Sequence, residues 1–80
     1  MSTICIQVIN PNTDPGMTQT IAEAARAAAS PGTDILAVCP PDGVPSIEGH
    51  FDEAIAAVGV LEQIKAGRRQ GVSGHVIACF

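Results

Sequence analysis

The stretch ICIQVINPNTDPG, residues 4–16, decides the fold. Its first part is a nearly continuous apolar run, Ile4-Cys5-Ile6 and Val8-Ile9, interrupted only by Gln7. A run this short, rich in β-branched residues and without alternation, predicts a strand over 3–9 that is buried on both faces. The second part, Asn10-Pro11-Asn12-Thr13-Asp14-Pro15-Gly16, is dense in turn formers and ends the strand. Asp14 followed by Pro15 has the pattern of an N-cap with proline at the first helical position. A strand, a tight loop and a helix start therefore follow one another within thirteen residues.

Working outward, Met17, Ile21, Ala25 and Ala28 recur at helical spacing, with Gln19, Glu23 and Arg26 facing elsewhere. Ser30-Pro31-Gly32 stops that helix. DILAVC, residues 34–39, predicts a second buried strand, and 40–45 a loop. From Ser46 the chain turns helical again, with Ile47, Phe51, Ile55 and Val58 as its apolar face and Ser46 as its cap. Gly59 is expected to break or kink this helix, after which Val60, Leu61 and Ile64 form a second face. Arg68 and Arg69 fall in the last turn, where positive charge suits the helix dipole. HVIACF, residues 75–80, predicts the third strand.

Strands alternating with helices in β-α-β-α-β order predict an α/β fold on a parallel sheet with right-handed crossovers. Ligands of such sheets bind beyond the carboxyl ends of the strands. Three segments converge there: the loop at 10–16, the loop at 39–46, and Cys79-Phe80. Two crossover helices of one hand are expected to cover a single face of the sheet. The third strand would then end the chain with a bare face, an aggregation hazard. Residues 1–80 therefore read as one lobe of a longer protein.

Composition narrows the function. With 80 residues the chain makes at most one small domain. Nearly half the residues are apolar, mostly Ala, Ile and Val, and aromatics are limited to two Phe. Small core residues imply close approach of helix and strand backbones. Four Lys or Arg and a net charge of −4 provide no basic face for nucleic acid. No apolar run approaches the roughly 18 residues of a membrane span. The amino terminus lacks a basic segment followed by an apolar stretch, which reads as cytoplasmic and makes the three Cys free thiols. Their spacing matches no zinc pattern.

Cys79 leads the candidates for chemistry, because it stands at the carboxyl end of a predicted strand and a thiolate serves as base or nucleophile. Cysteine is also commonly a small buried hydrophobe. Asn12 can donate and accept hydrogen bonds, and so can hold a substrate carbonyl or amide; turn formation alone is the competing role. Ser46 fits a cap better than a ligand contact. Glu48 and His50 read as surface residues or local hydrogen-bond partners. Cys5 reads as inert core and Cys39 as structural. No GxGxxG or GxxxxGK occurs, so neither a dinucleotide nor a P-loop site is indicated.

Three pieces together carry a resemblance. ICIQVINPNT with MTQTIAEAAR, then PSIEGHFDEAIAA, then GHVIACF resemble, in order, segments of the hydantoin and allantoin racemases within the aspartate/glutamate racemase superfamily. The resemblance spans essentially the whole chain. It implies two similar α/β halves facing across a cleft, each supplying one cysteine, with no metal and no cofactor. Residues 1–80 would be the amino-terminal lobe and Cys79 its cysteine, with Asn12, Ile47 and Phe80 lining the pocket. The implied ligands are small molecules, 5-substituted hydantoins or allantoin, and the implied full-length assembly is a homo-oligomer. The opposing thiol is not among these residues, since Cys5 and Cys39 belong to the same lobe as Cys79. A decarboxylase or cis–trans isomerase of the same superfamily, and a flavodoxin-like binding module, are the alternatives. The last lacks support: a receiver-type module would carry an acidic cluster where the first strand ends in Asn10-Pro11-Asn12, and a flavin site would prefer more aromatic shielding than Phe51 and Phe80. If the chain is one lobe of a longer product, the intact mass of the native protein exceeds 8.2 kDa; mass spectrometry of the natural product returning that value would overturn the expectation.

Overall fold

The computed structural model describes residues 4–78. Five elements follow in the expected order: β1 (Ile4–Ile9), α1 (Pro15–Ala28), β2 (Thr33–Val38), α2 (His50–Arg69) and β3 (Gly74–Ile77). The sheet is parallel with order β2-β1-β3. In register, Ile6 lies opposite Ile35 on β2 and Gly74 on β3, and Ile9 lies opposite Val38 and Ile77. The first strand in sequence is thus the middle strand in space.

This order corrects the expectation that both helices cover one face, while β3 keeps exposed apolar side chains as expected, Val76 by 49% and Ile77 by 43%. The crossover through α1 leaves β1 towards β2, and the crossover through α2 returns past β1 to β3. Two right-handed crossovers running in opposite directions set their helices on opposite faces of the sheet. Side chains of β1 agree, since alternate residues point to opposite faces. Gln7 reaches α2, donating from Nε2 to the Gln63 carbonyl at 2.9 Å. Asn10, of the other parity, reaches the start of α1 through Thr18.

Burial on β1 increases along the strand. Ile4 is 53% exposed, whereas Gln7, Val8 and Ile9 are buried, so only the carboxyl half is covered on both faces. Cys5 is half-buried rather than sealed in the core.

The start of α1 is set locally. Asp14 Oδ1 accepts from the backbone N–H groups of Gly16 and Met17 at 2.9 and 3.3 Å, and Pro15 takes the first helical position. The buried residue of this helix is Ala22, not the expected stripe, from which Met17 is exposed. After α1, Gly32 adopts a φ of +86°, a turn geometry open to glycine.

Three expectations for α2 fail. It begins at His50 instead of Ser46, and Ser46 caps nothing. The N-cap is Gly49, without a side-chain cap, and Asp52 in the first turn reaches back to the preceding loop, its Oδ2 accepting from the Glu48 N–H at 3.0 Å. Gly59 does not break it, for the helix runs unbroken to Arg69. The buried residues are Ala56, Val60 and Gly67, while Phe51, Ile55 and Val58 of the expected apolar face are exposed, Phe51 by 77%.

The glycines explain why the helix faces this way. A Cβ at Gly59 would stand 2.9 Å from Cβ and Cγ of the buried Pro40 ring, and a Cβ at Gly67 would fall on the Gln7 carboxamide. Small residues let α2 lie close on β1, and Gln7 fills the space that remains. Its Oε1 accepts from His75 Nδ1 at 2.6 Å, so one buried amide joins β1 to β3 and to α2. Replacing Gly by Ala in a helix ordinarily gains about 1 kcal/mol. Overpacking against the Gln7 amide costs about 1–3 kcal/mol. We expect Gly67→Ala to be net destabilising, read as a lower urea midpoint with unchanged m-value; a raised midpoint would show that the contact yields freely.

Candidate active site at the carboxyl edge of the sheet

At the carboxyl ends of the strands the chain is held by backbone hydrogen bonds. Asn10 N–H donates to the Val38 carbonyl at 2.9 Å, and Ala78 N–H donates to the Ile9 carbonyl at 2.8 Å. The loop after β1 is tied to the loop after β2 by Thr13 N–H donating to the Val44 carbonyl at 3.0 Å. Gly43, with φ of +141°, lies against Thr13 at this junction. Two of the three segments expected to converge are therefore joined directly, and the chain leaving β3 is bonded to the strand between them.

The loop 10–14 is organised around Asn10, which is fully buried. Its Oδ1 accepts from the Asn12 N–H at 3.3 Å. Its Nδ2 donates to Asn12 Oδ1 at 2.8 Å and to Thr18 Oγ1 at 3.1 Å, with the Asp14 carbonyl at 3.4 Å. Thr18 Oγ1 in turn donates to the Asp14 carbonyl at 2.9 Å. The circuit fixes the loop to the first turn of α1. Sequence reasoning weighed Asn12 and passed over Asn10. The available signal was position: a polar side chain immediately after a doubly covered strand end must find partners, because burying an unpaired amide is costly.

Asn12 is half-buried and does the turn chemistry that competed with a ligand role. Its Oδ1 accepts from the Asp14 N–H at 2.9 Å as well as from Asn10. Its Nδ2 points to Met17 Sδ at 3.3 Å, a weak acceptor. Ile47 is half-buried in the loop before α2. Cys79 and Phe80 lie outside the described residues. Cys39 follows β2 and is half-buried. His50 is on the surface, its Nδ1 3.1 Å from Glu53 Oε1, and Glu48 is exposed, both as expected. Among the described residues no group of His, Cys, Asp or Glu is arranged to hold a metal ion, and no helix is long and apolar enough to cross a membrane.

A separate cleft of about 490 Å³ lies between the loop 40–43 and the outer flank of α2, walled by Pro40, Pro41, Ile55, Val58 and Glu62. None of Asn12, Ile47, Cys5 or Cys39 lines it.

The sequence profile of the Asp/Glu/hydantoin racemase family matches residues 6–80. The chain belongs to this family. Hydantoin racemases from Pseudomonas sp. (strain NS671) and Paenarthrobacter aurescens are 49% and 41% identical to it over 75 and 76 residues, 94% of this chain in each case. The matched part is 30% and 32% of those proteins. An allantoin racemase from Klebsiella pneumoniae superposes with a TM-score of 0.94 at 78% identity, over 96% of this chain and 31% of that one. An allantoin racemase from Pseudomonas fluorescens superposes with a TM-score of 0.76 at 46% identity, over 79% of this chain and 27% of that one. The chain thus spans about a third of the length of the racemases it matches, less than the half suggested by the resemblance alone.

Within this racemase-family chain, Asn10 is the residue whose loss should loosen the edge. Asn10→Ala leaves the Asn12 N–H without its partner and takes one donor each from Asn12 Oδ1 and Thr18 Oγ1, at a cost of about 1–3 kcal/mol. The expected result is a lower urea midpoint and faster amide exchange across 10–18. Exchange unchanged in that loop would count against the network.

Proposed function

We propose that the protein is a cofactor-independent racemase acting on 5-substituted hydantoins or allantoin, with Cys79 as one of two thiols that move a proton at the carbon beside a carbonyl. The observation that carries this reading is the family match over residues 6–80, which includes Cys79 and both loops tied together at the sheet edge. The names of the racemases it resembles supply the substrate class.

The chemistry explains the need for two groups. Hydrogen on carbon-5 of a hydantoin is acidified by the adjacent carbonyl. Cys79 as thiolate takes it as a proton, the electron pair of the C–H bond moves onto the carbonyl oxygen, and an enolate results. A thiol on the opposite face then gives its proton to carbon-5, leaving a thiolate there and the inverted centre. The two sulfurs exchange roles for the reverse direction, and neither requires an oxidant or a metal. Backbone N–H groups near the cysteine are suited to stabilise the oxyanion.

Placement of the parts supports the same reading. Ala78, which precedes Cys79, is hydrogen-bonded to Ile9, the residue before the Asn10–Asp14 loop. Asn12 in that loop and Ile47 in the loop after β2 are assigned, with Phe80, to the substrate pocket. The opposing thiol, the second α/β lobe and the homo-oligomer belong to the remainder of a full-length enzyme.

Two measurements test the proposal. Cys79→Ser in the full-length enzyme should lower racemisation by about 10²–10⁴-fold, the usual worth of a positioned acid–base group. It should also abolish exchange of the carbon-5 hydrogen with deuterium on at least one face. Wild-type exchange in that variant would overturn the assignment. Residues 1–80 alone should leave the optical rotation of a chiral hydantoin unchanged, because the second thiol is missing; loss of rotation would refute the two-thiol scheme.

A further inference from the structure

Asn12 carries more information than its place in a loop. Its Oδ1 has two donors, the Asp14 N–H at 2.9 Å and Asn10 Nδ2 at 2.8 Å. An amide oxygen has two lone pairs, and both are used. The orientation of each amide is fixed by main-chain donors: Asp14 N–H can face only the oxygen of Asn12, and Asn12 N–H only the oxygen of Asn10. Neither side chain can turn over without setting a backbone N–H against an NH₂ group. The Nδ2 of Asn12 has two hydrogens, and its one partner among the described residues is Met17 Sδ. Thioether sulfur is a weak acceptor.

We infer that Asn12 serves the substrate as a hydrogen-bond donor alone, and that the buried Asn10 is the positioning residue that imposes this polarity. The inference rests on the racemase reading above and refines it. A hydantoin ring presents N–H and C=O groups in alternation, so an Asn free to rotate could meet either. Held by Asn10 and Asp14, Asn12 selects a ring carbonyl and turns its NH₂ towards it. An acceptor oxygen that gains charge as the proton leaves carbon-5 would be met more strongly than in the ground state, since hydrogen bonds to charged oxygens are the stronger class. A ligand offering only N–H at this position finds no acceptor on the side chain.

The substitution that isolates this role is Asn12→Asp. A carboxylate keeps an oxygen where Oδ1 stands, so it still accepts from Asp14 N–H and from Asn10 Nδ2. Where the Nδ2 donor stood it has a second oxygen, an acceptor that carries negative charge. In the full-length enzyme we expect the urea midpoint of Asn12→Asp to match wild type, while kcat/KM for racemisation, followed by circular dichroism, falls at least tenfold. Calorimetric binding of two reduced-ring analogues, 2-imidazolidinone and 4-imidazolidinone, each keeping one ring carbonyl, identifies the acceptor. The analogue with the relevant carbonyl should bind wild type at least tenfold more tightly than the variant, and the other, with no carbonyl at that place, should lose no affinity in the variant.

Unchanged kcat/KM with unchanged stability would overturn the inference, as would equal binding of both analogues to both proteins. A large fall in the urea midpoint would show that Oδ1 is not held as described, and would overturn it too. These failures stand apart from failure of the racemase reading. A wild type that does not racemise hydantoins or allantoin sinks both, whereas an active wild type with an inactive Cys79→Ser and an unaffected Asn12→Asp sinks the inference alone.

Discussion

The middle position of β1 governs the rest of this molecule. A parallel strand flanked on both sides has both hydrogen-bonding edges occupied, and here both faces of its carboxyl half are covered as well. Any polar side chain in that half must then be satisfied inside the protein. Gln7 in that half and Asn10 just after it are the buried polar residues among those described, and every polar atom of both side chains has a partner. Gln7 locks β1 to β3 and α2, and Asn10 locks the loop after β1 to the start of α1. The two amides are buried less than a strand length apart, point to opposite faces, and together set where each crossover begins or packs.

The edge beyond the strands inherits its order from this arrangement. Because β1 is central, the loops leaving it and its neighbours lie side by side, and a few main-chain hydrogen bonds suffice to join them. The site proposed for substrate is thus built on backbone geometry first and on side chains second. That suits a proton transfer, in which small errors in the placement of a base relative to carbon are costly.

Comparison with the racemases adds scale. A match to about a third of their length includes two complete β-α-β crossovers that share β2. The exposed apolar side chains of α2, Phe51, Val58 and Leu61, lie on the flank turned away from the sheet. Their exposure explains why a reading of the helix by apolar periodicity chose the wrong face: the largest hydrophobes of α2 do not face this sheet, and the residues that do are Ala, Val and Gly.

Local chemistry was enough for much of the fold. The apolar runs marked three strands, Asp14-Pro15 marked the start of α1, Ser30-Pro31-Gly32 marked its end, and alternation of element types gave the parallel sheet. Each depends on residues adjacent in sequence, whose preferences act before any tertiary contact forms. Tertiary structure alone decided the strand order and with it the faces taken by the helices. It also decided the unbroken course of α2 through Gly59. There the low helix propensity of glycine is a local cost of about 1 kcal/mol, while the reason for the residue is the Pro40 ring, nineteen positions earlier in the chain. The same holds for Asn12: sequence showed an amide that can donate or accept, and only the Asp14 N–H and the buried Asn10 fixed which, because a hydrogen bond commits one end of an amide and thereby presents the other.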